Sequence, residues 1–99
     1  MEITVEREKT NPLLKRREIY FRLRYMEDGP TPSRSAVREK IAGLFNANPE
    51  TIVVDYIKPE FGKSEAICYA KIYESNEELL KTEPKHIIKR NFGGEEEES

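Results

Sequence analysis

The sequence predicts an α+β fold, a single antiparallel sheet of about four strands with helices packed on it as an α/β sandwich. Three observations carry this prediction. Four segments, 2–8, 16–26, 51–58 and 65–73, either alternate apolar and polar residues or concentrate β-branched ones. Between the second and third, apolar residues recur at helical spacing. The connection between the last two strands is short, which favours an antiparallel hairpin. The strand order in the sheet is not fixed by these patterns.

The elements follow in order. In 2–8, Ile3 and Val5 fall on one face and Thr4 and Glu6 on the other. Thr10-Asn11-Pro12 breaks that strand, and Leu13-Leu14 is long enough only for a turn or a helical stub. In 16–26, Ile19, Phe21, Leu23 and Tyr25 share one face, and Tyr20, Arg22 and Arg24 the other. Asp28-Gly29-Pro30-Thr31-Pro32 reads as a loop, with Thr31 as helix cap and Pro32 at the first helical position. Val37, Ile41, Leu44 and Phe45 form the apolar stripe of that helix, and Asn46 is its left-handed stop.

Asn48-Pro49 confirms the break before the β-branched run Thr51-Ile52-Val53-Val54. Residues 65–73 place Ala66, Cys68, Ala70 and Ile72 on one face and Ile67, Tyr69, Lys71 and Tyr73 on the other. Ser75-Asn76-Glu77-Glu78 is a capping box that opens a second helix. Pro84 ends it and starts a short helix through Asn91, with Ile87 and Ile88 available for docking. Residues 1–92 are expected to form one domain. Residues 93–99, Gly93-Gly94 followed by Glu95 to Glu98 and Ser99, are expected to be a disordered acidic tail.

Composition bounds the function. The 99 residues suffice for one modest core, and no apolar run approaches the roughly 20 residues of a membrane span. Cys68 is the only cysteine, so neither an internal disulfide nor a Cys-based zinc site is available. The N-terminus lacks the apolar stretch of a signal peptide, so a cytoplasmic protein is expected. Enzyme templates fit poorly. Gly62-Lys63-Ser64 ends like a phosphate-binding loop but lacks its leading glycine, and His86 is the only histidine. No carboxylate spacing implies a metal site or an acid–base pair. No catalytic residue, metal, cofactor, membrane or small-molecule substrate is expected.

The net charge of −2 conceals local basic clusters. Outside Glu95–Glu98 there are 17 basic residues against 15 acidic. From Lys9 to Arg24 there are six basic residues against one acidic, and from Lys81 to Gly94 four against one. Such clusters attract a polyanion. Lys15, Arg16, Arg17, Arg22 and Arg24 offer donors to phosphate, and Tyr20 among them offers a ring to a base. Arg34 and Arg38, four apart on the first helix, stand on one side, away from Val37 and Ile41. The alternative for every one of these residues is an ordinary solvated surface. The aromatic octamer of the common RNA-recognition motif is absent, so backbone and shape recognition is the leading mode rather than base stacking on a naked sheet.

Several motifs, taken together and in order, resemble one family. These are Asn11-Pro12-Leu13-Leu14-Lys15-Arg16-Arg17-Glu18; Pro30-Thr31-Pro32-Ser33-Arg34 with Val37-Arg38-Glu39-Lys40; Val53-Val54-Asp55 through Phe61-Gly62; and Tyr69-Ala70-Lys71-Ile72-Tyr73-Glu74-Ser75. Over roughly residues 2–91 the chain resembles the archaeal and eukaryotic small-subunit ribosomal protein family twenty-four, in its short archaeal form. The resemblance implies an α/β sandwich on the small ribosomal subunit, a monomer when isolated, with ribosomal RNA as principal partner and other ribosomal proteins as neighbours. It implies no catalysis and no cofactor. It makes Lys15, Arg16, Arg17, Arg34 and Arg38 candidate RNA contacts, and puts Phe61 and Gly62, beside Lys63, at a hairpin tip set against RNA or a neighbouring protein. Two other readings remain: an RNA-binding domain acting off the ribosome, and a small acylphosphatase-like hydrolase.

Overall fold

The structure, a computed structural model, describes residues 1–25, 30–60 and 62–93. Met26, the Asp28-Gly29 part of the loop, Phe61 and the glutamates of the tail lie outside the described residues. Four strands, β1 (Glu2–Asn11), β2 (Arg16–Arg24), β3 (Ile52–Pro59) and β4 (Glu65–Tyr73), form one antiparallel sheet in the order β1-β2-β4-β3. Helix α1 (Arg34–Phe45) joins β2 to β3, with a 3-10 turn at Pro49–Thr51. Helices α2 (Asn76–Thr82) and α3 (Lys85–Ile88) follow β4, and the chain continues into a π-helical turn at Lys89–Gly93. The expected α+β class holds.

One face of the sheet carries the main core. Ile19, Phe21 and Leu23 of β2 and Ala66, Cys68, Ala70 and Ile72 of β4 are buried against Val37, Ile41 and Ala42 of α1. Small residues on β4 let the helix approach the sheet while β2 supplies the bulk. Burial pushes the Cys68 thiol up to about 12, so it stays protonated and packs as a small hydrophobe. Among the described residues the opposite face is covered at one end only, where Val53 and Tyr73 meet Leu79 of α2 and then Ile87, Ile88 and Phe92.

Several boundaries differ from the sequence expectations. β1 runs on through Thr10 and Asn11, because these pair with Arg17 and Arg16 in a long hairpin. Helix α1 is capped by Ser33, not Thr31: the Ser33 hydroxyl accepts from the Ala36 N–H at 3.2 Å, and Pro32 stays outside the helix. Leu44 is exposed, since Ala42 takes its expected place on the buried stripe. The left-handed stop at Asn46 (φ 52°, ψ 47°) and the Ser75 cap, which accepts from the Glu78 N–H, are as expected.

The outer strand β3 is occupied on its free edge at Val54 and Asp55. The Asn91 side chain accepts from the Val54 N–H at 2.8 Å and donates to the Val54 carbonyl at 3.1 Å, mimicking a neighbouring strand. Arg34 donates to the Val54 and Asp55 carbonyls at 3.3 and 3.4 Å.

Candidate nucleic-acid interface

The nine residues that sequence reasoning selects do not form one patch. They separate into two ends of the sheet and an internal group, and Phe61 lies outside the described residues. Lys15, Arg16 and Arg17 sit where the β1–β2 hairpin turns, and Arg24 and Lys63 at the other end. Eight residues of extended strand from Arg16 to Arg24 put those ends roughly 26 Å apart.

At the first end, Lys15 and Arg17 border an open cleft of about 620 Å³ between the hairpin turn and the end of α1. Lys15 is well exposed and lies 3.8 Å from Glu78, a weak surface pair. The Arg17 guanidinium lies 5.2 Å over the Phe45 ring and 3.5 Å from the exposed Glu8. Lys15 and Asn46, the two non-glycine residues with positive φ among the described residues, line this cleft. At the turn, Leu13 is 92% exposed beside these cations. At the second end, Arg24 and Lys63 border a depression with Gly62, whose φ of +77° suits a residue without a side chain. Arg24 is exposed and 3.6 Å from Glu65.

The remaining arginines face inward or across the sheet. Arg16 donates to Glu18 at 2.9 Å and to the Tyr73 hydroxyl at 2.8 Å. Burial opposes its charge, but those hydrogen bonds outweigh it and hold the guanidinium above its ordinary value. Arg22 is surrounded by Glu60, Glu6 and Glu65, and the hydrogen bond to Glu60 leads in raising it. Arg38 donates to the Asn91 carbonyl and covers the Phe92 ring at 4.6 Å. With Arg34 on the β3 edge, Arg38 therefore ties α1 to the rest of the fold. Their i, i+4 spacing places them on one side as expected, but that side meets β3 and the C-terminal turn rather than open solvent.

A buried ionic cluster escaped sequence reasoning. Glu83, 1% exposed, takes Lys71 Nζ at 2.9 Å and the Tyr73 hydroxyl, and Arg16 lies 3.7 Å away. Burial, then Glu83, pushes the Tyr73 hydroxyl above its ordinary range. Among the described residues no group of three His, Cys, Asp or Glu side chains could hold a metal ion, and no helix is long and apolar enough to cross a membrane.

The model of the family described as ribosomal protein S24e matches residues 1–92. The chain belongs to the ribosomal protein S24e family. It is 62% identical over 91 residues to the small ribosomal subunit protein eS24 of Archaeoglobus fulgidus, spanning 92% of this chain and 81% of that one. It is 46% identical over 98 residues to the protein of the same name from Methanothermobacter thermautotrophicus, covering 99% and 97% of the two chains. With that of Methanothrix thermoacetophila it shares 42% over 99 residues, covering 100% and 99%.

In this S24e chain the motif residue Glu18 responds to pH. Burial raises its carboxyl, but hydrogen bonds from Arg16 and Asn11 outweigh that and hold it below its ordinary value of 4.5. A lowered folded pKa contributes stability above the ordinary value, and that contribution is lost as pH falls through the folded one. Acid titration followed by circular dichroism should therefore show wild-type stability falling below about pH 4.5. Glu18→Gln should be less stable at pH 7 and decline less steeply in that window. Parallel acid limbs for the two proteins would contradict this.

Proposed function

We propose that this chain is a structural constituent of the small ribosomal subunit that binds ribosomal RNA through cations at the two ends of its sheet. Lys15 and Arg17 contact one stretch of backbone, and Arg24 and Lys63 another. The observation that carries the reading is the pairing of S24e membership with the exposed Lys15–Arg17 edge of the open cleft. Arg16, Arg22, Arg34 and Arg38 act one step behind, since their guanidiniums already hold internal carboxylates or carbonyls. On this reading the protein works in the cytoplasm beside other ribosomal proteins, with no catalysis, cofactor or small-molecule substrate.

Co-sedimentation with archaeal small subunits depleted of their own S24e protein tests the reading, and failure to sediment at moderate salt would overturn it. Binding to fragments of small-subunit RNA should fall steeply with salt. Each neutralised phosphate contributes a slope of about 0.9 on duplex and about 0.7 on single strands. Lys15→Ala with Arg17→Ala should shallow the slope by about two phosphates while leaving the thermal melt nearly unchanged. An unchanged slope would put the contact elsewhere.

A further inference from the structure

Among the described residues, the sheet face opposite α1 is covered only where Val53 and Tyr73 meet the C-terminal helices. Beyond that cover, one row reads Arg7, Tyr20, Tyr69, Tyr56 across β1, β2, β4 and β3. Tyr20 and Tyr69 are stacked, with centroids 4.5 Å apart and planes 17° from parallel. Tyr56 continues the row at 5.9 Å, tilted by 41°. Arg7 lies 5.9 Å over the Tyr20 ring and Lys58 4.6 Å over the Tyr56 ring.

Simple alternation would not build this row. With Val5 opposite Phe21, an unbroken β1 would set Glu6 against Tyr20. With Val54 opposite Ala70, an unbroken β3 would set Asp55 against Tyr69 and turn Tyr56 to the core. Each outer strand instead carries one extra residue at this level, between Val5 and Arg7 and between Val54 and Tyr56. The two bulges exchange two carboxylates for an arginine and a third tyrosine. A bulge disrupts the ladder of backbone bonds locally and re-aims a side chain. The β3 bulge is held from outside by Arg34 and Asn91.

We propose that this row is a stacking ladder for bases of single-stranded RNA, with Arg7 and Lys58 taking the flanking phosphates. The proposal rests on the RNA-binding reading above and names a form of RNA and a second surface for it. Every base has a π-face, so a row of rings binds single strands with little sequence preference. Phosphate draws a cation off its ring, and a base continues the stack in its place. Charge favours RNA over a peptide partner. Of the nearby carboxylates, Glu6, Glu60 and Glu65 are gathered on Arg22 and Asp55 lies 3.8 Å from Lys71, while the cations Arg7 and Lys58 stand over both ends of the tyrosine row.

The test titrates the full chain with a 12-nucleotide single-stranded RNA of mixed sequence and, separately, with inorganic polyphosphate, following the tyrosine ring protons by NMR. RNA should shift the Tyr20, Tyr56 and Tyr69 ring protons upfield, and polyphosphate should not. Tyr56→Leu and Tyr69→Leu should each weaken RNA binding on the order of tenfold while leaving polyphosphate binding unchanged. Tyr56→Phe, which keeps the ring, should bind as wild type. The wild-type ring shifts decide the matter if a leucine variant does not fold. RNA binding without ring shifts, lost only in the Lys15→Ala and Arg17→Ala variants, would overturn the ladder and leave the broader reading standing. Ring shifts caused by small-subunit proteins but not by RNA would assign the row to a protein contact and overturn it too. No binding of either polyanion would overturn both.

Discussion

Glu83→Ala is expected to lower stability by about 3–5 kcal/mol, the range for breaking a buried ion pair by removing one partner. The Glu83 carboxylate receives Lys71 Nζ through both oxygens, at 2.9 and 3.1 Å, and the Tyr73 hydroxyl. Both partners are themselves buried. Without Glu83, the Lys71 ammonium keeps, among the described residues, only the ion pair with Asp55 at 3.8 Å, and Arg16 loses a neighbour. A domain of this size is stable by about 5–15 kcal/mol, so the loss is a large share. Glu83 also caps the end of α2, so the C-terminal cover over Val53 and Tyr73 should loosen with it. Urea melts of Glu83→Ala and of the double variant Lys71→Met/Glu83→Leu give the comparison. The double variant should recover most of the loss, because no charge is left stranded. A single-variant loss below about 1 kcal/mol would show that water already reaches the cluster.

Phe21→Ala is expected to cost about 3–5 kcal/mol through the cavity it leaves. Phe21 is fully buried on β2, an interior strand, between its register partners Val5 and Cys68 and in the cluster that holds Val37 and Ile41 of α1. Arg17→Ala is the matched control. Its side chain is half exposed and meets only the edge of the core at Phe45, so its melt should stay within about 0.5 kcal/mol of wild type. Filter binding on the same proteins should show the reverse order, with Arg17→Ala weakened and folded Phe21→Ala unaffected. Arg16→Ala, adjacent in sequence, should differ from Arg17→Ala. Arg16 donates one hydrogen bond to Glu18 and another to the Tyr73 hydroxyl, so its removal should destabilise measurably. Equal melts for the two arginine variants would contradict the inward placement of Arg16.

The features legible in the letters alone are those that local chemistry sets. Alternation in Ile19-Phe21-Leu23 and Ala66-Cys68-Ala70-Ile72 picks out the face buried under α1, because a side-chain period of two leaves a strand no other way to hide these residues. The Ser75 cap and the Asn46 stop depend on hydrogen bonding and backbone freedom within a few residues. The motif order points to the S24e family for the same reason, since each motif marks a local turn or strand.

The remaining features are non-local. The order β1-β2-β4-β3 depends on which strands meet after the chain returns through α1, a choice that periodicity does not encode. Arg16 and Arg17 are indistinguishable as letters. One points to Tyr73, 57 residues away, and the other to Glu8 and Phe45. Lys71 and Glu83 read as solvated charges until α2 folds back over β4 and removes them from water. Tyr20 and Tyr69 meet as register partners, and Tyr56 and Arg7 join their row only because bulges at Asp55 and Glu6 reverse the facing of the residues after them. A one-residue shift in register changes the face of every later side chain, and register is set between strands rather than within one.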